Sequence, residues 1–127
     1  MKKRIFYHDT DCGGVVYYGN YLKFLEEART EYMEQRGFSV KKLMDDGFVF
    51  VVARQEIEYK APAFYDDVLT VETTITDISS IRVEFSYAIT NQHGKLTTKA
   101  RTVLVCVGQD IKPRVIPPQV RAALKPA

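Results

Sequence analysis

Residues 8–29 of the 127-residue chain read HDTDCGGVVYYGNYLKFLEEAR, and this stretch decides how the rest of the sequence is interpreted. Its first part, residues 9–20, mixes turn-forming residues with apolar ones and is typical of a loop that leads into a helix. Asn20 is a suitable N-cap for that helix, and Gly37 is a suitable C-terminal stop. Between them apolar side chains recur at helical spacing, at Tyr21, Phe24, Leu25, Ala28 and Tyr32. The pattern predicts one long helix of about 16 residues.

The sequence on either side of this stretch predicts strands. A short strand is expected over residues 2–7, and one or two helical turns over 39–46, ending at Gly47. Four longer strands are predicted where apolar residues form runs or alternate with polar ones, over 48–60, 67–77, 81–89 and 95–107. The short connections favour antiparallel neighbours. The predicted class is therefore α+β, a five-stranded antiparallel sheet with one long helix in a single domain spanning residues 1–127.

Composition excludes several classes of protein. The net charge is only +2, too small an excess to favour nucleic-acid binding. No apolar run approaches the roughly 20 residues of a membrane helix, and residues 1–9 lack the apolar core of a secretory signal, so no membrane insertion is expected. The two cysteines, Cys12 and Cys106, lack a disulfide or metal spacing, which favours a reducing cytoplasm.

The last strand predicts that the chain associates with copies of itself. Valines at 103, 105 and 107 stand on one face of that strand, and Leu104 and Cys106 stand on the other. One helix covers only part of one face of a five-stranded sheet, so apolar surface is left over for a partner. We expect a homo-oligomer, a dimer or a dimer of dimers (a homotetramer).

The loop before the long helix carries the residues suited to chemistry. Its carboxylates stand just before a helix start, whose backbone N–H groups can hold an anion or polarise a carbonyl. A carboxylate such as Asp11 can act there as a nucleophile or as a general base on water. Gly14 lets the backbone approach a bound group, and Val15, Val16 and Tyr17 either wall a pocket or pack under the sheet. This set fits hydrolysis of an activated acyl compound, although capping and turn formation explain the same residue types.

The same loop and helix resemble the signature of hotdog-fold acyl-CoA thioesterases, the 4-hydroxybenzoyl-CoA thioesterase family with its YbgC-type branch. The matching positions are Asp9, Asp11, Gly14, Val16, Tyr17, Tyr18, Asn20, Tyr21, Phe24, Glu26 or Glu27, Ala28 and Arg29. The likeness extends over nearly the whole chain, through Glu58-Tyr59, Ala61-Pro62 and Asp67.

This resemblance implies a sheet wrapped around the long helix, with sites at a dimer interface and no metal or organic cofactor. It implies that Asp11 is the catalytic carboxylate and that backbone N–H groups around Tyr18 polarise the thioester carbonyl. The YbgC-type branch usually has His at the position of Tyr18, and the hydroxybenzoyl branch tends to have Tyr. A tyrosine, with a reference pKa of about 10, transfers protons poorly near neutral pH, so only the main chain of Tyr18 is expected to act. The choice between short-chain and aromatic acyl groups stays open.

Basic residues are the expected partners of the phosphates of coenzyme A. Arg82 and Arg101 are the candidates chosen, from a set that also holds Lys99, Lys112 and Arg114. Two further hypotheses compete with the hydrolase, a non-catalytic acyl-thioester-binding or scaffold protein and, more weakly, a hydratase of the same fold, which would need an Asp/His pair. A metal site over residues 8–11 is disfavoured, because ligands on an extended segment diverge.

Overall fold

Five strands and three helices make up the computed structural model, which describes residues 1–11 and 13–125. A 3-10 turn over Tyr7–Asp9 stands between the first strand and the first helix. The elements in chain order are β1 (Lys2–Arg4), α1 (Asn20–Gln35), α2 (Val40–Asp45), β2 (Val49–Tyr59), β3 (Val68–Ile78), β4 (Arg82–Thr90), β5 (Leu96–Val107) and α3 (Pro118–Leu124). The prediction of one long helix and five strands is confirmed.

The strands form one antiparallel sheet in the order β1-β3-β4-β5-β2. The expectation that short links join neighbouring strands is correct for the links from β3 to β4 and from β4 to β5. It is wrong for the link from β2 to β3, because these two strands are not neighbours. Three strand spacings, about 14 Å, separate β2 from β3. Residues 60–67 bridge that gap, because eight extended residues reach up to about 26 Å. This crossing puts β2 at one edge of the sheet, paired with β5.

The core lies between α1 and the sheet face that α1 covers, which we call the inner face. Apolar side chains of α1 point at this face because they recur at helical spacing. The buried ones are Tyr21, Phe24, Leu25, Ala28 and Met33. Tyr32, expected in the same stripe, is only partly buried and meets Phe85 edge-on, with ring centroids 5.9 Å apart. The result is an α+β fold in which the curled sheet packs around one long helix, as predicted.

Local hydrogen bonds set the ends of the elements. β1 stops earlier than predicted because the Asp9 carboxylate accepts a hydrogen bond from the Phe6 N–H at 2.9 Å and closes the 3-10 turn. The prediction that Asn20 is the N-cap is wrong, because Gly19 occupies that position and Asn20 is the first helical residue. Gly37 ends the helix as predicted, with a φ of +88° that suits glycine. Ser39 caps α2 by accepting the Lys42 N–H at 3.2 Å.

The exposed apolar surface lies on a different strand from the one expected. Val103 and Val107 of β5 are already buried within one chain, and Val105 is partly buried. On the edge strand β2, by contrast, Val52 is 51% exposed and Val51 37%. Among the described residues no helix has both the length and the apolarity needed to cross a membrane.

Candidate active site

The loop between the 3-10 turn and α1 is held as a tight turn by its own backbone. The N–H of Asp11 donates to the carbonyl of Val15, and the N–H of Gly14 donates back to the carbonyl of Asp11, both at 3.0 Å. Gly14 has a φ of +72°, a conformation that side chains rarely adopt. The turn therefore fixes Asp11 at the corner of the loop.

The Asp11 side chain projects from this corner and is exposed. One carboxylate oxygen, Oδ1, accepts the N–H of Gly13 at 3.1 Å. The other oxygen has no hydrogen-bond partner among residues 1–11 and 13–125. Within the described residues, one hydrogen bond thus orients the carboxylate, and its second oxygen can contact a water or a substrate carbon.

Main-chain donors stand at the other end of the same loop, where α1 begins. The N–H groups of Val16, Tyr17 and Asn20 are used inside the fold, by the carbonyls of Ala63, Asp9 and Tyr17. For the N–H groups of Tyr18 and Gly19, the described part of the chain offers no acceptor. Such donors at a helix start carry partial positive charge and suit a developing oxyanion.

Two side chains from distant positions hold this helix start in place. The Tyr59 hydroxyl, at the end of β2, donates to the Tyr18 carbonyl at 3.2 Å. The Asn20 amide donates to the Asp9 carbonyl at 2.8 Å, which joins the helix to the 3-10 turn. The sequence alone does not predict either contact, because the fold decides which residues meet. The family resemblance includes both Tyr59 and Asn20, but it does not identify their partners.

Aromatic rings surround the loop. The Tyr17 and Tyr18 rings lie 4.7 Å apart, and the hydrogen bond with Tyr18 raises the pKa of the Tyr17 hydroxyl. Val15 bridges to Phe64, and the Tyr65 N–H donates to the Gly14 carbonyl at 3.1 Å. The exposed rings near the loop are Tyr17, Tyr18, Tyr59, Phe64 and Tyr65. A flat or apolar group laid on this loop would contact several of them.

The structure divides the predicted site residues into two groups. Asp11, Gly14, Val15, Tyr17 and Tyr18 lie together in the loop. Val16 belongs to the same loop, but its side chain is 5% exposed and packs into the core. Of the two roles considered for it, packing under the sheet is therefore the one observed, and not lining a pocket.

The two predicted phosphate partners lie apart from the loop, on the outer face of the sheet. Arg101 forms ion pairs with Glu56 at 2.9 Å and with Glu84 at 3.4 Å. Arg82 is exposed at the start of β4, whereas the loop adjoins the ends of β2 and the start of β3. Within one chain, neither arginine is brought to Asp11.

Two other residues considered in the sequence, His8 and Arg114, contact neighbouring side chains or backbone and not the loop around Asp11. His8 is exposed, stacks on Phe6, and its Nε2 lies 3.5 Å from Asp9 Oδ1. Arg114 donates to the Gly47 carbonyl at 2.8 Å and covers the Phe48 ring. Cys12 lies outside the described residues. Across the residues that are described, no three His, Cys, Asp or Glu side chains gather as metal ligands would.

Comparison with known proteins identifies the family of the chain. A family model described as the thioesterase-like superfamily matches residues 7–124. The chain belongs to that superfamily. An acyl-CoA thioester hydrolase YbgC from Escherichia coli O6:H1 is 40% identical over 123 residues, 96% of this chain and 92% of that protein. This YbgC-type hotdog thioesterase is therefore an acyl-CoA thioester hydrolase, and the predicted family and activity are confirmed.

Solved structures of other proteins superpose closely on this thioesterase. A hypothetical protein from Aquifex aeolicus gives a TM-score of 0.93 at 34% identity, covering 98% of each chain. A 1,4-dihydroxy-2-naphthoyl-CoA thioesterase from Synechocystis gives 0.91 at 27% identity, covering 98% of this chain and 93% of that one. The hotdog fold predicted from the sequence is confirmed by both.

Proposed function

We propose that Asp11 is the catalytic carboxylate of this acyl-CoA hydrolase and that Tyr18 supplies a main-chain N–H to the thioester carbonyl. The observation that carries the proposal is the arrangement of one loop. An exposed carboxylate stands at its corner with one oxygen that no described residue binds. The N–H donors of Tyr18 and Gly19, for which the described residues offer no acceptor, stand at its end. Acid and donors are thereby supplied by the same short segment.

The carboxylate and the main-chain donors together define the steps of the proposed hydrolysis. Attack on the thioester carbon, by the Asp11 carboxylate or by a water that it deprotonates, places negative charge on the carbonyl oxygen. The N–H groups at the start of α1 stabilise this charge, an effect that typically accelerates such a step by about 100-fold or more. When water attacks, the carbon–sulfur bond then breaks to give the free acid and coenzyme A, whose sulfur takes the proton that Asp11 accepted. When Asp11 attacks directly, coenzyme A leaves first with a proton from solvent, and the acyl group stays on Asp11 as an anhydride. Water then hydrolyses this anhydride and releases the free acid and the Asp11 carboxylate.

The acyl group we propose is short-chain or aromatic. The exposed rings around the loop favour contact with a compact, flat group over a purely polar one. The Synechocystis relative is named for a bicyclic aromatic acyl-CoA, and Tyr18 matches the hydroxybenzoyl branch of the family. We propose no metal or organic cofactor, because a carboxylate, water and main-chain donors complete the reaction.

We further propose that the protein is a cytoplasmic homo-oligomer, a dimer or a tetramer. The edge strand β2 exposes Val51 and Val52, and an unpaired, partly apolar edge is suited to a second copy. The thiol of Cys106 is free and buried, which suits a reducing compartment. In such an assembly, Arg82 and Arg101 on the outer face of one subunit would bind the phosphates of a coenzyme A held by another.

Asp11→Asn tests the catalytic proposal. The amide oxygen can still accept the Gly13 N–H, so the loop keeps its turn while the charge is removed. We expect release of thiol from a panel of short, long and aromatic acyl-CoAs to fall about 100-fold or more. Asp46→Asn, an exposed aspartate at the end of α2, is the matched control and should retain full activity. Full hydrolytic speed in the Asp11 variant would reject the proposal.

A further inference from the structure

The ring of Tyr17 lies directly against the backbone of Gly19, at the start of α1. A β-carbon on Gly19 would stand 2.6 Å from Cε2 of that ring, well inside van der Waals contact. Gly19 has a φ of −66°, which any residue adopts, so its backbone conformation does not require glycine. The Tyr17 ring is therefore what excludes a side chain at this position.

This contact brings the ring close to the main-chain donors of the proposed site. The nitrogen of a residue lies about 2.5 Å from its own β-carbon, so Cε2 of Tyr17 lies within about 5 Å of the Gly19 nitrogen. The Tyr17 backbone is held on both sides. Its N–H donates to the Asp9 carbonyl at 3.0 Å, and its carbonyl accepts the Asn20 N–H at 2.9 Å.

A thioester whose carbonyl oxygen binds the Tyr18 or Gly19 N–H places its acyl group beside this ring. The first acyl carbon is only two bonds away from that oxygen, and the ring lies within about 5 Å of a donor nitrogen. The pantetheine arm, on the other side of the thioester, carries amides, so an aromatic surface favours the acyl side. The Tyr18 ring, whose centroid lies 4.7 Å from that of Tyr17, extends the surface, and both rings are exposed.

We propose that Tyr17 and Gly19 form one specificity-determining pair for the acyl group. Because Gly19 lacks a side chain, the Tyr17 ring stands beside the donors and presents a wall to the group attached to the thioester carbonyl. The inference rests on the proposed function, because it requires the carbonyl at the start of α1. A planar aromatic acyl group can stack on this wall or meet it with its edge, whereas a saturated ring of the same size cannot lie flat against it.

Benzoyl-CoA and cyclohexanecarbonyl-CoA test this, because they share one carbon skeleton and differ in flatness. The quantity measured is the ratio of their kcat/KM values, and comparing this ratio between variants cancels the intrinsic difference in reactivity. We expect Tyr17→Ala to lower the preference for benzoyl-CoA about 2- to 10-fold, the worth of one aromatic contact, and Tyr17→Phe to retain it. Tyr7→Ala is the matched control, because Tyr7 is an exposed tyrosine of the 3-10 turn, outside the loop.

Gly19→Ala tests the coupling between the two residues. The added β-carbon should push the Tyr17 ring away and lower the preference for benzoyl-CoA, as Tyr17→Ala does, while every N–H donor remains. When Tyr17 is already alanine the β-carbon has room, so Gly19→Ala should change the ratio no further, a double-mutant cycle. If Gly19→Ala alone does not fold, Tyr17→Ala and the double variant still decide.

The pair assignment and the catalytic proposal fail in different ways. If the variants keep the wild-type ratio while hydrolysis still depends on Asp11, the assignment is wrong and the catalytic proposal stands. If Gly19→Ala slows both substrates equally, with or without the Tyr17 ring, the β-carbon acts on the donors and the assignment is again wrong. If the wild type hydrolyses no acyl-CoA, calorimetric Kd values of the same two thioesters decide it, and an equal preference in wild type and Tyr17→Ala overturns it.

Discussion

The hydroxyl of Tyr59 donates a hydrogen bond of 3.2 Å to the carbonyl oxygen of Tyr18. That carbonyl belongs to the peptide unit that also carries the N–H of Gly19. In a planar trans peptide the two groups point in opposite directions, so fixing the carbonyl aims the N–H. The Tyr21 N–H contacts the same carbonyl at 3.3 Å. The end of β2 thereby orients a donor that the proposed mechanism uses.

Tyr59→Phe is expected to lower kcat by about two- to ten-fold, the worth of one hydrogen bond, with a smaller effect on KM. The ring remains for packing against Tyr21, whose ring centroid lies 5.5 Å away. Steady-state kinetics measure the change, and Tyr65→Phe is a control of similar exposure at the same loop. Equal losses in both variants would show that the Tyr59 hydroxyl has no special place in the site.

Asn20→Ala removes the hydrogen bond to the Asp9 carbonyl that joins α1 to the 3-10 turn. We expect a loss of about 1 kcal/mol in the free energy of unfolding, measured by urea denaturation, together with a several-fold lower kcat. The rate falls because the same turn leads directly into Asp11. Gln35→Ala, at the exposed end of the same helix, should change neither quantity. An Asn20 variant with wild-type stability would contradict the assigned anchoring role.

Val52→Lys places a charge on the exposed edge strand β2. If this edge meets a second copy, the charge should shift the protein toward monomers in sedimentation velocity and lower its activity. Val115→Lys is the control, because Val115 is 61% exposed outside the sheet. A wild-type protein that sediments as a clean monomer at micromolar concentration would disprove the proposed oligomer.

Alkaline pH is expected to destabilise the fold. Burial raises the pKa of the Tyr21 and Tyr87 hydroxyls above their ordinary value of about 10. The folded state then holds these protons more tightly than the unfolded state. The two hydroxyls therefore contribute fully to the free energy of unfolding below about pH 10. This contribution is lost as the pH rises through their pKa values in the folded state.

Urea denaturation at a series of pH values measures this loss. Tyr87→Phe should flatten the decline in stability above about pH 10, since one raised pKa is removed. The Cys106 thiol, whose pKa burial also raises, contributes with the same sign in both proteins. A decline of the same slope with and without Tyr87 would contradict the prediction.

Local patterns predicted most of the elements. Apolar spacing from Tyr21 onward placed α1 within one residue of its observed bounds, and strict alternation placed β4 equally well. The loop residues around Asp11 were proposed as the site because carboxylates stand next to a helix start in the sequence and because the stretch resembles a thioesterase signature. The position of β2 was not predictable in this way, because its pairing with β5 depends on a crossing that only the sheet as a whole determines.

The burial of two polar side chains was not predicted either. Tyr87 reads as one more alternating apolar residue of β4, and Arg29 as a charge on an exposed helix face. Packing of the helix on the sheet buries Tyr87 and partly buries Arg29. Asn20 is a residue type that often caps helices, so it was predicted to be the N-cap. In the structure its side chain instead binds the Asp9 carbonyl of the preceding turn.

Residues 60–67, which carry the chain across the sheet, also hold the active-site loop from behind. Val16 donates to the carbonyl of Ala63 at 2.8 Å, and Tyr65 donates to the carbonyl of Gly14. The segment that crosses the sheet thus supports the turn that carries Asp11, the proposed catalytic residue. A change of one residue in the length of this segment would shift the loop that it contacts. Evolution could therefore alter the acyl preference through residues 60–67 without changing Asp11.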